Sequence, residues 1–304
     1  MLVHAKALGR SLYDRPYLLL SLTMLFWGGN TVAGQLAVGE ISPLTLTFIR
    51  WLLVSAFLWA VSGRQVVAEW PVLRPRMLWI TGTVICGFTG FNSLFYIASH
   101  QTTAVNIGII QGAIPVVVLI GAFFLYRTRV GLLQAVGAAV TIFGVIVVAT
   151  SGDFARLTTL AFNPGDVTMM IACLFYSVYT VRLPNRPKIP GLVFFTVMSL
   201  VAAVTTLPLM LYEVFAGDVI WPSLKAWAVL LYVALFPSFI AQVFFMRGVE
   251  LIGPGRAGIF VNLVPVFGAG LAVLILGESF HLYHAAALIL VLGGIWLSER
   301  HKVR

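Results

Sequence analysis

Residues 102–126 read TTAVNIGIIQGAIPVVVLIGAFFLY, twenty-five residues without a charge, punctuated by Gly108, Gly112, Pro115 and Gly121. A helix needs about twenty apolar residues to cross the hydrocarbon core of a bilayer, so this stretch is read as a membrane span. It also recurs. A shift of 150 residues aligns Gly108, Ile109, Pro115, Val116, Ala122, Leu132, Ala135 and Gly144 with Gly258, Ile259, Pro265, Val266, Ala272, Leu282, Ala285 and Gly294, without a gap. Glycine and alanine matches come cheaply in membrane helices; a Pro-Val pair at the same offset does not. The chain is therefore read as two units, 1–150 and 151–304.

Nine further stretches resemble the first in length and apolarity. The ten lie near 17–38, 43–62, 77–99, 102–126, 130–150, 165–182, 190–213, 224–247, 256–276 and 280–298. Sixty per cent of the 304 residues are hydrophobic, 10% are charged, and the mean hydropathy is +1.01. A soluble domain has about a quarter of its residues charged, so the solvent here is lipid. Stretches of this length select helices over barrel strands, because each helix satisfies its own backbone. Only the connections 63–76 and 151–164 exceed a dozen residues, which leaves no room for a soluble domain. Lys6, Arg10 and Arg15 ahead of the first apolar run imitate a signal peptide, but the spans that follow make it the first helix. Cys86 and Cys173 fall inside apolar stretches and are read as core residues.

The basic residues orient the chain. Lys6, Arg10 and Arg15 precede the first span. Alternate connections on the same side hold Arg64, Arg74 and Arg76; Arg127 and Arg129; Arg182, Arg186 and Lys188; and Arg247 and Arg256. Arg300, Lys302 and Arg304 close the chain. The other side has Arg156 and Lys225, and Arg50 lies within a span. The positive-inside rule puts both termini in the cytoplasm. The net charge of +9 thus reports orientation, and no basic patch with interleaved aromatics suggests nucleic acid. Five is odd, so the second unit enters the bilayer from the opposite side. The expected fold is all-α and integral to the membrane: ten transmembrane helices in two inverted-topology repeats of five, an architecture of secondary transporters.

Phe26-Trp27-Gly28-Gly29-Asn30, Ile41-Ser42-Pro43 and Phe48-Ile49-Arg50 follow one another in the first unit. In the second come Gly165-Asp166, Phe175-Tyr176-Ser177, Gly255-Arg256-Ala257, Val264-Pro265-Val266 and Gly277-Glu278. In this order and spacing the chain resembles EamA-type members of the drug/metabolite transporter superfamily along its whole length, most of all the bacterial amino-acid exporters, including the aromatic ones. One departure stands out. Such proteins usually carry an acid after the fourth span to match Glu278, and here Arg127 and Thr128 occupy that place. The resemblance implies a secondary transporter of the bacterial inner membrane. It would export small metabolites, amino acids among them, by alternating access, working as a monomer in the bilayer without a cofactor.

Candidate substrate residues follow from polarity at depth. Arg50 lies well inside a span, where a charge costs about 2.5–3.5 kcal/mol on insertion scales. Its guanidinium suits a substrate carboxylate, although a structural bond to helix-end carbonyls or to Glu40 is the favoured expectation. Asn92 and Gln242 occupy matching positions 150 apart and offer donors and acceptors to an ammonium and a carboxylate. Asn30, Asn106, Gln111 and Asn262 are further amides, each with interhelical hydrogen bonding as its alternative role. Trp27, Tyr96, Tyr176 and Tyr179 offer faces for apolar or aromatic groups. Pro115 and Pro265, lacking amide hydrogens, are read as matched kinks or hinges. Gly108 and Gly112 form a face for close helix packing. His281 and His284 are expected at an exposed helix end, not in a metal site.

Other classes fare worse. An intramembrane enzyme needs a nucleophile–base or metal constellation within the spans, and no catalytic set is found. A channel lacks a filter or ring of charges, and no phosphate loop suggests ATP coupling. With no buried carboxylate or histidine expected at depth, export down a gradient is the expected energetics; drugs, nucleosides and sugar-like solutes remain alternative cargoes. A cysteine at Gly39 should react with an impermeant maleimide added outside intact cells, and one at Asn185 should not. Reaction at Asn185 would reverse the orientation.

Overall fold

The computed structural model describes residues 13–127, 130–155 and 162–300. Lys6, Arg10, Thr128, Arg129, Arg156, Lys302 and Arg304 lie outside the described residues. Among those described, every regular element is helical: α1 (Pro16–Ala37), α2 (Pro43–Ala68), α3 (Trp70–Ser99), α4 (Ala104–Tyr126), α5 (Leu132–Ala149), α6 (Pro164–Asn185), α7 (Gly191–Ala216), α8 (Leu224–Ile252), α9 (Arg256–Leu276) and α10 (Leu282–Arg300). By length and composition α2 to α9 are eight helices able to cross a membrane, and α10 holds a shorter apolar stretch, Leu282–Ser298. The 22-residue α1 is not among the eight; Gly28, Gly29, Asn30 and Gln35 dilute its hydropathy. Stretch 63–76, expected as a connection, is mostly helix. Helix α2 runs on to Ala68 with Val66 buried, and Trp70 opens the next helix.

Proline and glycine punctuate the chain for simple reasons. Pro16, Pro43 and Pro164 stand in the first turns of α1, α2 and α6, where the missing N–H is not needed. Helix α9 stops at Gly277 with φ of 67°, and α4 stops 150 residues earlier at Arg127 with φ of 53°. The repeat thus keeps a left-handed stop even where its residue carries a Cβ.

Helix α1 packs on α8 and α9, while α6 packs on α3 and α4; α4 meets α9, α2 meets α7, and α5 meets α10. The α5–α10 contact depends on missing side chains. A Cβ at Gly137 would lie 2.4 Å from the Gly294 carbonyl oxygen, and one at Gly294 2.5 Å from that of Gly137. A Cβ at Gly112 would lie 2.4 Å from Val291, whereas one at Gly108 would meet the backbone of Ala269 at an ordinary 3.4 Å, so the small-residue face of α4 serves packing, most tightly at Gly112.

Four helices depart from regular α geometry in their interiors. Helix α3 widens into a π-helical turn over Ile85–Gly90 and α8 over Ala234–Ile240, 150 residues apart. Helix α4 breaks at Gly112 and Ala113, and α9 passes through a 3-10 turn, Val261–Leu263. Pro115 and Pro265 therefore do not kink continuous helices. Each stands in the first turn of a new helical piece, where its ring fits without displacing a carbonyl.

At the end of the bundle holding the α1–α2 and α3–α4 turns, carboxylates from one half cap helices of the other. Glu213 accepts from Leu44 N (2.9 Å), Thr45 N (2.8 Å) and Thr45 Oγ1 (2.8 Å) at the start of α2. Glu278 accepts from Ala104 N (2.8 Å) and Val105 N (2.9 Å) at the start of α4. Negative charge at a helix N-terminus suits the helix dipole. Glu40 accepts from Ser223 Oγ (2.5 Å) and Lys225 Nζ (3.2 Å). The Ser223 hydroxyl first, and Lys225 second, hold its carboxyl below the usual carboxylate range. This clasp is complete above that range and is lost as pH falls through the lowered value. Glu213→Ala should remove the α2 cap and cost about 1–2 kcal/mol, read as a lower thermal midpoint in detergent. An unchanged midpoint would mean that water replaces the carboxylate.

Candidate functional site

The irregular turns surround a cavity between the two halves. Trp27 and Asn30 face it from α1, Arg50 from α2, and Asn92 from just beyond the α3 π turn. Gln111 and Pro115 flank the α4 break, Asn262 and Pro265 the α9 break; Tyr176 and Tyr179 come from α6 and Gln242 from α8. The structure thus brings nine of the eleven candidate side chains and both prolines to one space, and places Asn106 in a separate cluster with Asp166. Tyr96, fully buried, stands behind this lining.

Arg50 is 5% exposed and held by neutral groups. Its Nε donates to Ser238 Oγ (2.7 Å), and Nη1 donates to Asn92 Oδ1 (2.8 Å) and Tyr96 OH (2.7 Å). The Tyr96 hydroxyl in turn donates to Asn30 Oδ1 (3.0 Å). The guanidinium carbon lies 5.3 Å from the centroid of the Trp51 ring and 5.9 Å from that of Tyr96, close enough for cation–π attraction. The expected bond to Glu40 or to helix-end carbonyls is not made. Glu40 is engaged with Ser223 and Lys225, and no ion pair of the described residues includes Arg50. Nη2 has no protein hydrogen bond among the described residues.

The π turns build this cage. Pro237 has no N–H for the carbonyl of Val233, and Ser238 Oγ donates to it instead (2.5 Å), leaving its lone pairs for Arg50. The carbonyl of Pro237 accepts from Trp27 Nε1 (3.0 Å). In α3, Asn92 Nδ2 donates to Phe88 O (2.7 Å), which turns Oδ1 towards Arg50. The matched amides are therefore not equivalent: Asn92 belongs to the Arg50 cage, whereas Gln242 makes no protein hydrogen bond among the described residues. Around them Trp51 stacks on Phe88 (4.5 Å between centroids, 8° between planes), and Phe91, Tyr176 and Tyr179 continue the aromatic wall.

Trp51, Phe88 and Ser238 were missed by sequence reasoning. A signal for Trp51 existed, since Thr47, Trp51, Val54 and Leu58 follow the helical spacing of one buried face. Ser238 had none, because its place depends on the π turn.

A second polar cluster corrects two expectations: that no aspartate is buried in a span, and that the histidines are exposed. Asp166, 1% exposed, accepts from Thr102 Oγ1 (2.5 Å), and Asn106 Nδ2 lies 3.2 Å from both its oxygens. His284 is 2% exposed, and its Nδ1 accepts from His281 N (3.1 Å). Nε2 therefore carries the proton and donates to Asn106 Oδ1 (3.1 Å). The turn between α3 and α4 covers these helix-end residues, and Gln35 Nε2 donates to Thr102 O across it. No group of three metal-ligating side chains occurs among the described residues.

A many-helix membrane protein with a polar cavity between similar halves is a transporter by architecture. The comparisons agree: the chain belongs to the EamA-like transporter family, matched at residues 15–150 and again at 163–300. It is similar to an uncharacterized transporter of Bacillus subtilis, YetK, 26% identical over 94% of this chain and 87% of the relative. An uncharacterized transporter of Archaeoglobus fulgidus is 25% identical over 94% of this chain and 97% of its own. An uncharacterized inner membrane transporter of Salmonella typhimurium, YicL, is 22% identical over 93% and 95%. One solved crystal structure shares the fold, with a TM-score of 0.65 and 21% identity over 93% of this chain and 95% of that one. Family and relatives indicate a transporter, not an enzyme.

Asp166→Ala leaves Thr102 and Asn106 without an acceptor in a buried place. It should cost about 1–3 kcal/mol, whereas Asp166→Asn, which keeps one acceptor, should cost less. Thermal unfolding of the purified variants measures both, and equal midpoints would show that the cluster holds nothing together.

Proposed function

We propose that the chain is a ten-span secondary transporter, built as inverted repeats 1–150 and 151–304, that exports amino acids, aromatic ones included, by alternating access. The observation that carries this is Arg50: a buried cation with no carboxylate partner and an unengaged Nη2, in a cavity walled by aromatic rings and amides. A solute carboxylate supplies the missing charge, and a flat apolar side chain matches Phe88, Phe91, Tyr176 and Tyr179.

Two features support alternating access. Exchanging the halves converts the α1–α8 and α1–α9 pairings into α6–α3 and α6–α4, as an axis in the membrane plane requires. Matched residues also differ in exposure: Ile109 in α4 is 0% exposed and Ile259 in α9 54%. Under the proposed orientation the outer end is the more tightly packed one, and we assign this state as the one open to the cytoplasm, which loads an exporter. Both termini are assigned to the cytoplasm, the membrane to a bacterial inner membrane, and the working unit to a monomer.

Counterflow in proteoliposomes preloaded with amino acids, sugars or nucleosides tests the cargo. L-phenylalanine and related amino acids should exchange; exchange of sugars or nucleosides alone would assign the cavity to another solute. Gln242→Ala should slow transport at an unchanged thermal midpoint. Asn92→Ala should slow it and lower the midpoint, since Arg50 loses a partner worth about 1–3 kcal/mol. Normal transport by both variants would remove the amides from the site.

A further inference from the structure

Three buried side-chain atoms of the described residues have no hydrogen-bond partner: Trp51 Nε1, Ser93 Oγ and Asn262 Oδ1. Buried polar groups are nearly always satisfied in native proteins, and an orphan costs about 1–3 kcal/mol. Ser93 lies away from the cavity. Trp51 and Asn262 both line it, with the orphan atoms themselves covered in this state, so two of the three orphans belong to side chains that a bound solute would meet and turn.

The chemistry of the two is opposite. Trp51 is 3% exposed and its Nε1–H can only donate. Next to it in sequence, and 5.3 Å from its ring, stands the Arg50 guanidinium, also a donor without acceptor capacity. Three of the five guanidinium N–H groups are engaged by Ser238, Asn92 and Tyr96, which leaves the two on Nη2. The α2 wall therefore offers donors from two adjacent residues and no acceptor. Asn262 Oδ1, on α9, is the reverse: an acceptor without a donor.

We propose that Trp51 is a substrate-binding residue. Its indole N–H donates to one carboxylate oxygen of the solute while Arg50 Nη2 holds the other, and Asn262 Oδ1 accepts from the solute's ammonium. The zwitterion then lies with its carboxylate towards α2 and its ammonium towards α9. This assignment rests on the reading of the cavity as an amino-acid site and adds the residues that tell the two ends of the solute apart.

Trp51→Phe removes the N–H and keeps an aromatic ring to stack on Phe88. The measurement is counterflow of labelled L-phenylalanine in proteoliposomes, inhibited by unlabelled L-phenylalanine, by 3-phenylpropionate, which lacks the ammonium, or by 2-phenylethylamine, which lacks the carboxylate. In Trp51→Phe the apparent constants for the two carboxylates should rise by about tenfold or more, with that for 2-phenylethylamine unchanged. Its thermal midpoint without solute should hold or rise, because an orphan donor has been removed. Asn262→Leu should show the mirror pattern, losing 2-phenylethylamine and L-phenylalanine while sparing 3-phenylpropionate. Wild-type protein that exchanges no L-phenylalanine overturns the amino-acid reading itself. Wild-type exchange with unaltered constants in Trp51→Phe, or an equal loss for all three compounds together with a lower midpoint, overturns the role of Trp51 alone.

Discussion

A backbone inside lipid has no water to fall back on, so every N–H and C=O must find a partner within the protein. That constraint makes the chain helical, and it also makes irregular backbone informative. The π turns of α3 and α8 and the breaks of α4 and α9 interrupt the regular helical pattern. All four border the cavity, and carbonyls of the two π turns accept from cavity side chains: Phe88 O from Asn92, Val233 O from Ser238 and Pro237 O from Trp27. Irregular backbone at membrane depth is tolerated where it is buried in protein or lines a cavity. Here it does both.

Arg50 depends on the same turns. A guanidinium away from water needs several aligned acceptors, and a regular helix presents few, because its carbonyls are already engaged. Widening α8 by one residue lets Ser238 serve two partners, the carbonyl of Val233 and Arg50 Nε. Widening α3 aims the Asn92 amide. Tyr96 adds a hydroxyl that passes the load on to Asn30. Neutral dipoles solvate the cation without neutralising it, so the cavity keeps positive charge. A carboxylate partner from the protein would have cancelled that charge and left a structural ion pair.

Much of this was legible beforehand. The repeat, the helix positions and most of the cavity side chains follow from apolar length, a 150-residue offset and polarity inside apolar runs, because those signals are local. What escaped was set by non-local geometry. Sequence gives Pro115 and Pro265 as kinks, yet their helices had already ended one turn earlier, at Gly112 and Val261, so the rings begin new pieces. Sequence predicts no carboxylate buried at depth and puts His284 at an exposed helix end. Asp166 is buried where the α3–α4 turn packs on the start of α6, and His284 where it meets Asn106, and no local pattern reports those contacts. Arg50 was matched with Glu40 on proximity in sequence, whereas its partners come from α3 and α8, forty-two or more residues away.

The repeats are alike in shape and unlike in charge, and the difference falls at the helix ends. Helix α4 begins on the Glu278 carboxylate, which follows the left-handed stop of α9. At the place in the first unit that matches Glu278 the sequence has Thr128, which carries no charge. Helix α2 is capped by Glu213, while α7 starts after Pro190 with no acidic residue in its first turn. Caps of this kind contribute about 0.5–2 kcal/mol each. Two of them on one end only tilt an otherwise symmetric two-state equilibrium by a factor of roughly five to several hundred. In the proposed cycle the clasped end is the outer one, so the resting protein favours the state open to the cytoplasm. In that cycle, opening the outer end would part the two halves where these carboxylates cap them. An exporter biased in this way waits on the side where its cargo is made, and solute binding has to supply the free energy that releases the outer clasp.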